Sequence, residues 1–461
     1  IVFVLLGTVL SASIFATEPA LVTINGKEVS KSSFEYLYHK NNTNTGIDKK
    51  SKEDYLSMFI DFKLKVAEAE SLKMDTAQSF VAELEGYRRQ SAMEYLTDKD
   101  YKEKLMKEAY ERMKEDVEIA HIFVKFDDDN QSDTLKAYKK AQTLYDRLKK
   151  EDFATLAKEQ SEDPASKEKG GYLGYISALK TIYSFETAAY TTPVGKISTP
   201  IRSMYGYHII KVFSKRPSRG KLLLAHILKT TNDTLPEKNI QAENEIQYIY
   251  SQLKKGENFE KLVKEFSEDT YSAQKNGQLP WLESGNFIKE FEDAAYQIKE
   301  MGDFSYPVKT QFGWHIIKLL DKKQLGTYEE EKPTIEKSFV MGDRAQLVQQ
   351  SFIAKLKNEY LYKVDKKALE QLQKLAKNTT DSLFYIQAAN QHKMLFSFAD
   401  KTYTQSQLAA FMKQRNLRPS VLQQALQYYS DEEIKNYENS RLETKYPEFG
   451  HLVQEYKDGI L

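Results

Sequence analysis

Cysteine is absent from all 461 residues. That excludes disulfides, thiolate catalysis and cysteine-based zinc sites. An excess of either charge is missing too, because 67 basic and 67 acidic residues cancel. The simple electrostatic case for a nucleic-acid partner goes with it. Beyond the first sixteen residues no stretch is long and apolar enough to span a bilayer, so any association with a membrane is expected to be peripheral at most. Histidine is scarce, with seven in the chain. Hydrophobic residues make up 41% and aromatics 12%, including 30 tyrosines. Such a chain can bury several cores and still offer aromatic surface to partners.

Four of the seven histidines occupy matched places. His121 and His226 each sit in a short apolar run, Ala120–His121–Ile122 and Ala225–His226–Ile227. About ninety residues later each is answered by a second, in Gly206–Tyr207–His208–Ile209–Ile210 and Gly313–Trp314–His315–Ile316–Ile317. Between them the register is close: His121 to His226 is a shift of 105, Asp163 to Asp269 and Phe185 to Phe291 of 106, and His208 to His315 of 107. Each copy reads as an apolar strand, a long charged helix (134–150; 236–255) and a shorter helix opening on Phe153 or Phe259. A Ser-Glu-Asp loop, a glycine turn, a short Phe-Glu helix and a closing strand around Gly-aromatic-His complete it. Two strand ends with helices between them make an α+β module of about 100 residues. The segment 214–220, charged and carrying Pro217 and Gly220, is expected to link the copies.

The ends read differently. Residues 1–10 are almost wholly apolar and 11–16 carry small residues, the pattern of a secretory signal with its cleavage region. Because the chain begins at Ile1, a charged start is expected to be missing. Residues 21–29 alternate around Asn25–Gly26 as a hairpin. Helices follow, the first starting at Ser51 with Asp54 three residues on and placing Leu56, Phe59, Ile60, Leu64 and Ala67 on one face. The C-terminal 140 or so residues return to helical periodicity. Within them 395–403 resembles the first hairpin at a shift of 374, so the two ends are expected to pack as related halves of one body. Gly459–Ile460–Leu461 reads as the start of an apolar strand.

The repeat resembles the parvulin family of peptidyl-prolyl isomerases. The residues that carry the resemblance are Ala-His-Ile, Ser-Glu-Asp, Gly170–Gly171–Tyr172–Leu173–Gly174, Phe185–Glu186 with Ala188, and Gly206–Tyr207–His208–Ile209–Ile210. Copy 2 repeats them, with Asn276–Gly277 in place of Gly-Gly. The whole arrangement is similar to SurA-type periplasmic chaperones. The resemblance implies an α+β fold class: two tandem parvulin-like domains at 116–215 and 219–323, and a mostly helical body from 17–115 and 324–461, after a signal at 1–16. It implies catalytic positions at His121, Asp163 and His208, and at His226, Asp269 and His315. A prolyl pocket is implied at Leu173, Thr181 and Phe185, and at Leu279, Phe287 and Phe291. The family usually has Met or Leu where Thr181 stands, so the first pocket is expected to be smaller and wetter than the second. No cofactor and no metal are implied. Two histidines and a distant aspartate also lack tight ligand spacing for zinc.

The implied activity is cis-trans isomerisation of X-Pro bonds together with chaperoning of unfolded or partly folded polypeptides rich in proline and aromatic residues, in the periplasm. The residues alone leave plainer readings open. The histidine pairs also read as internal struts, the aspartates as turn caps, and Phe185 and Phe291 as ordinary core. At the level of the whole chain the rivals are a holdase whose parvulin modules only bind or space, and a structural scaffold of the envelope.

Overall fold

The computed structural model describes residues 20–41, 50–126, 131–232 and 234–461. The secretory-signal segment 1–16 lies outside them. No described helix is long and apolar enough to cross a membrane. The described chain forms two compact units, one from residues up to Lys99 and from Gln349 onward, the other from Asp100 to Val348. The division falls inside the segments at 17–115 and 324–461 that the sequence assigns to the helical body.

The first unit is built from both ends of the chain. The strands Ala20–Ile24 and Lys27–Ser30 pair as Val22↔Val29, Thr23↔Glu28 and Ile24↔Lys27. The strands Met394–Phe398 and Lys401–Thr404 pair as Phe396↔Tyr403, Ser397↔Thr402 and Phe398↔Lys401, each pair displaced by 374. The register irregularity falls at the matched position too, after Ala20 and after Met394. Asn25 and Gly26 turn the first hairpin with φ of 50° and 74°, values that Asn and Gly reach at least cost. The second hairpin gains a short third strand, Lys363–Val364, and a core of Phe396, Phe398, Leu408, Met412 and Tyr429.

Helix Lys52–Ser71 starts where Ser51 accepts the Asp54 N–H. It buries Phe59, Val66 and Ala69, while Leu64 is half exposed. The apolar face expected through Leu64 is therefore rotated by part of a turn. Arg88 holds Glu443 with two nitrogens at 2.5 and 2.9 Å, and the Tyr87 ring stacks on Tyr456. The last residues are no strand: Pro447–Ile460 is a helix with Phe449 fully buried. Proline suits its first turn, and Phe449, Leu452, Val453 and Tyr456 recur at helical spacing.

The second unit holds the repeat. In copy 1 the sheet order is Tyr172–Ile176, Glu115–Lys125, Gly206–Pro217, Ile201–Arg202. In copy 2 it is Lys221–Thr230, Gly313–Lys323, Val308–Thr310. The counterpart of the outer strand there is reduced to single bridges, Leu222↔Leu282 and Ala225↔Gln278. One face of each sheet carries the long and short helices, over cores centred on Ile122, Leu156 and Ile209 or on Ile227, Ile246 and Ile316. The other face carries the Phe-Glu helix, Tyr183–Thr191 or Lys289–Gln297.

The segment expected to be a linker from 214 is strand as far as Pro217, because Lys215, Arg216 and Pro217 still pair with Val117, Asp116 and Glu115. Helices Lys99–Met113 and Tyr328–Met341 pack with Leu179 and Tyr183 of copy 1 around Leu105, Met106 and Phe339.

The glycine turn has a steric cause. At Gly171 and Gly277, with φ of 79° and 81°, a Cβ would lie 2.2 Å from the His121 carbonyl oxygen and 2.6 Å from that of His226. Their own carbonyls accept the N–H of His121 and His226 at 2.8 and 2.9 Å. The preceding position is left-handed in both copies, and in copy 1 it is also tight, because a Cβ on Gly170 would lie 2.7 Å from Ala154 Cβ. Gly170 stands at φ 66° and Asn276 at 56°, so the departure of copy 2 from Gly-Gly leaves the turn intact. Gly171→Ala is expected to destabilise copy 1 by more than about 2 kcal/mol in urea unfolding, from combined strain and clash. Asn276→Gly is expected to change stability by less than about 1 kcal/mol.

Candidate active site

The Ser-Glu-Asp loop fastens onto the opening strand residue by residue. In copy 1 the Ser161 hydroxyl accepts the Phe123 N–H at 3.2 Å, the Glu162 carboxylate accepts the Lys125 N–H at 2.7 Å, and Asp163 accepts from His121 Nε2 at 2.9 Å. In copy 2 Ser267 accepts from Leu228 at 3.2 Å, Glu268 from Thr230 at 2.8 Å and Asp269 from His226 Nε2 at 2.8 Å. Three consecutive loop residues thus answer three alternate strand residues, and the aspartate is carried to the histidine as a consequence. Each aspartate also meets a serine three residues on. Ser166 donates to Asp163, and Ser272 donates its backbone N–H to Asp269 while its hydroxyl oxygen lies 3.2 Å from the same His226 nitrogen as a second acceptor.

The paired histidines meet through Nδ1, at 3.5 Å for His121 and His208 and 3.3 Å for His226 and His315. The far nitrogen of the second histidine reaches a hydroxyl: His208 Nε2 to Ser203 at 2.9 Å, His315 Nε2 to Thr310 at 2.8 Å. These partners fix the tautomers. Since the carboxylate can only accept, the first histidine carries its proton on Nε2. Its Nδ1 then accepts from the Nδ1–H of the second, whose Nε2 accepts the hydroxyl proton. Each copy is a one-way chain from hydroxyl to carboxylate.

The electrostatics agree with a neutral second histidine in each copy. Burial, with the neighbouring His121, pushes His208 down to about 4, and burial with His226 pushes His315 down to about 3. Burial also lowers His226, against the pull of Asp269. Burial works to raise both aspartates, but hydrogen bonds from Ser166 and His121, and from Ser272 and His226, hold them below the ordinary carboxylate value. A buried neutral floor, with its one charge at the rim, suits a site that performs no nucleophilic step.

Above the floor stand the Phe-Glu helix and the loop before it. Phe185 sets its ring edge on His208 at 5.3 Å and on His121 at 5.6 Å, and Phe291 on His315 at 5.3 Å and on His226 at 6.0 Å. In copy 2 Phe287 stacks on Phe291 at 5.3 Å, and Leu279 packs in the same cluster. Copy 1 is brought together less completely. Leu173 is 37% exposed and stands outside the cluster around Phe185. Thr181 has a buried hydroxyl oxygen with no partner among the described residues. Copy 1 has an aromatic of its own in Phe123, whose ring stacks on His208 at 4.8 Å.

Two sets of residues escape the sequence reading. Ser203 and Thr310, which end the histidine chain, stand five before the second histidine, and no motif marks them. Glu186 and Glu292 are buried beside the phenylalanines they follow. Glu186 accepts the Leu179 N–H at 2.8 Å; Glu292 accepts the Gly285 N–H at 2.9 Å and the Phe287 N–H at 3.0 Å. They hold the pocket loop. The available signal was a carboxylate in a Phe-Glu pair on an otherwise apolar helix face. Among the described residues no group of histidines and carboxylates is arranged to hold a metal.

A family model described as rotamase, PPIC-type PPIase domain, matches residues 121–214 and again 226–321. Among curated proteins the chain is similar to Chaperone SurA of Pseudomonas syringae pv. tomato, 30% identical over 218 residues, 46% of this chain and 50% of that protein. It is similar also to Chaperone SurA of Saccharophagus degradans, 30% identical over 250 residues, 53% and 57% of the two. The chain spans about half the length of the curated relatives it matches. A solved parvulin of Nitrosopumilus maritimus is 39% identical over 22% of this chain and 96% of its own, with a TM-score of 0.18. Two segments of the chain, 121–214 and 226–321, thus each match the PPIC-type PPIase domain.

Proposed function

We propose that the protein is a peptidyl-prolyl cis-trans isomerase and folding chaperone for unfolded polypeptides carrying proline and aromatic residues, working in the periplasm, with copy 2 the stronger isomerase. The observation that carries the reading is the apolar cup of Leu279, Phe287 and Phe291 over the neutral His226–His315 floor. Rotation about an X-Pro bond crosses a twisted amide, against a barrier of about 18–20 kcal/mol. The twisted amide is less polar than the planar one, so a dry cup with a few fixed hydrogen bonds favours it. Removing about 5 kcal/mol gives several-thousand-fold acceleration. Asp269 fixes the tautomer below, and no covalent step is needed.

The test is isomerisation of a short proline peptide by the full chain. Leu279→Ala and Phe291→Ala are expected to lower kcat/KM at least tenfold, whereas Thr181→Ala leaves most of it. An unchanged rate in both copy 2 variants, with the fold intact by circular dichroism, would remove the pocket assignment.

A holding activity alongside isomerisation is favoured by a separate observation. Met58, Phe62, Leu64, Leu72, Met74 and Val81 are all exposed along residues 58–81 of the first unit. Exposed apolar side chains are what a holdase offers to unfolded clients. Suppression of client aggregation is expected to survive loss of the copy 2 pocket.

A further inference from the structure

The loop 283–288 carries Phe287, and its two ends are held by different modules. The end toward the helix is held by Glu292 of copy 2, as described. The other end is held by copy 1. The Ser284 hydroxyl donates to Asp116 Oδ2 at 2.6 Å, and Arg216 donates to the Ser284 oxygen at 3.2 Å. Asp116 is itself oriented by Ser177 at 3.1 Å and by Arg216 at 3.3 Å. Glu283 is clamped between Lys180 of copy 1 and Lys221 of copy 2. Gly285 passes so close to the Tyr175 carbonyl that a Cβ would sit 2.8 Å from it.

This junction is dry, with Asp116 1% exposed and Ser284 2%. A buried, charge-assisted hydrogen bond of that kind holds its partners firmly. The matching loop of copy 1 touches copy 2 through Lys180 on Glu283 and Ser177 on the Ser284 carbonyl, but its pocket positions are held otherwise. There the Leu179 N–H is held by Glu186 at 2.8 Å and the Tyr183 N–H by Asp343 at 2.7 Å, both outside copy 2.

We infer that copy 1 is a positioning partner of the copy 2 pocket. Asp116, backed by Arg216, sets Ser284 and through it the placement of Phe287 over Phe291. Isomerisation in copy 2 then depends on a residue of a different module, and anything that parts the modules loosens the mouth of the pocket. The inference rests on reading Leu279, Phe287 and Phe291 as the prolyl pocket.

Two readouts on the full chain test it. The chain has two tryptophans, Trp281 and Trp314, both in copy 2. Their fluorescence reports binding of the probe peptide acetyl-Ala-Leu-Pro-Phe-amide to that copy. Ser284→Ala and Asp116→Ala are each expected to weaken its Kd about three- to tenfold, the scale of one hydrogen bond, and the double variant no further. Asp116→Asn, which keeps an oxygen acceptor for the hydroxyl, is expected to stay within about twofold of the parent.

Hydrogen exchange at the Gly285 and Phe287 amides is expected to speed up about tenfold in Ser284→Ala, while the Leu179 amide is unchanged. Parent-like exchange and Kd in Ser284→Ala, or single effects that multiply in the double variant, overturn the inference. If exchange is released by Ser284→Ala but neither parent nor variant binds the peptide, the coupling stands and the prolyl-pocket reading falls.

Discussion

Glu186→Ala is expected to destabilise copy 1 by about 3–5 kcal/mol, and Glu292→Ala to destabilise copy 2 by about 1–3 kcal/mol. The two glutamates occupy the same place in the same Phe-Glu pair and perform the same local task, accepting loop amides. Their charge surroundings differ. One Glu186 oxygen takes both Arg112 at 2.9 Å and Arg344 at 2.5 Å, and the Arg344 side chain is 4% exposed with no partner for its Nε among the described residues. Alanine leaves the buried Arg344 guanidinium without this carboxylate, beside an Arg112 that keeps Glu108. Around Glu292 the nearest cation is Arg219 at 3.7 Å, and burial pushes its carboxyl above the ordinary value.

The glutamine variants separate charge from hydrogen bonding. Glu292→Gln keeps an oxygen for Gly285 and Phe287 and is expected to cost less than about 1 kcal/mol. Glu186→Gln removes the charge that two arginines share and is expected to keep most of the alanine penalty. Urea unfolding of the four variants measures this, and equal costs for the two glutamine variants would contradict it.

The repeat is legible in the sequence because its constraints are local and occur twice. Apolar runs, the Ser-Glu-Asp triplet and the glycine beside the histidine carbonyl each impose a residue type at a fixed offset. The hairpin at 20–30 and its counterpart at 394–404 are legible for the same reason. What escapes is long-range. Nothing around Asp116 announces that it will meet Ser284, 168 residues on. Leu64 fits the helical period, yet tertiary packing turns the helix so that Val66 is buried instead. The final Gly-Ile-Leu is too short to distinguish a strand from the last turn of a helix, and the deciding signal, Pro447 at a first turn, lies twelve residues earlier.

The pockets fall between these cases. Thr181 and Phe287 were legible as a difference between the copies. How each is accommodated depends on neighbours that the pattern cannot supply: an unpartnered hydroxyl for one, and a ring stacked on Phe291 for the other.

Stability is expected to fall by about 4 kcal/mol across the two modules between pH 7.5 and pH 5, before the carboxylates begin to titrate. In the unfolded chain His208 and His315 take up a proton near 6.5. In the fold burial holds them at about 4 and about 3. Between those limits the unfolded state binds more protons than the folded one, so stability rises with pH and is lost on acidification. Each tenfold in proton affinity is worth about 1.4 kcal/mol, which gives about 2 kcal/mol from each histidine by pH 5.

Asp163 and Asp269, held low in the fold, add losses of the same sign at more acid pH, while Glu292, held high, contributes the opposite sign there. Because His208 and His315 stay neutral in the fold, their titration is expected to add no pH dependence to the isomerisation rate per folded molecule from pH 8 to 5. Urea unfolding at pH 7.5, 6.5 and 5, read beside single-turnover rates, distinguishes the two effects. The double variant His208→Asn/His315→Asn is expected to lose most of the slope in stability while keeping the smaller carboxylate part. A parent whose stability does not change between pH 7.5 and 5 would mean that the second histidines are hydrated or charged in the fold. The hydroxyl-to-carboxylate chain through Ser203 and Thr310 would then be wrongly assigned.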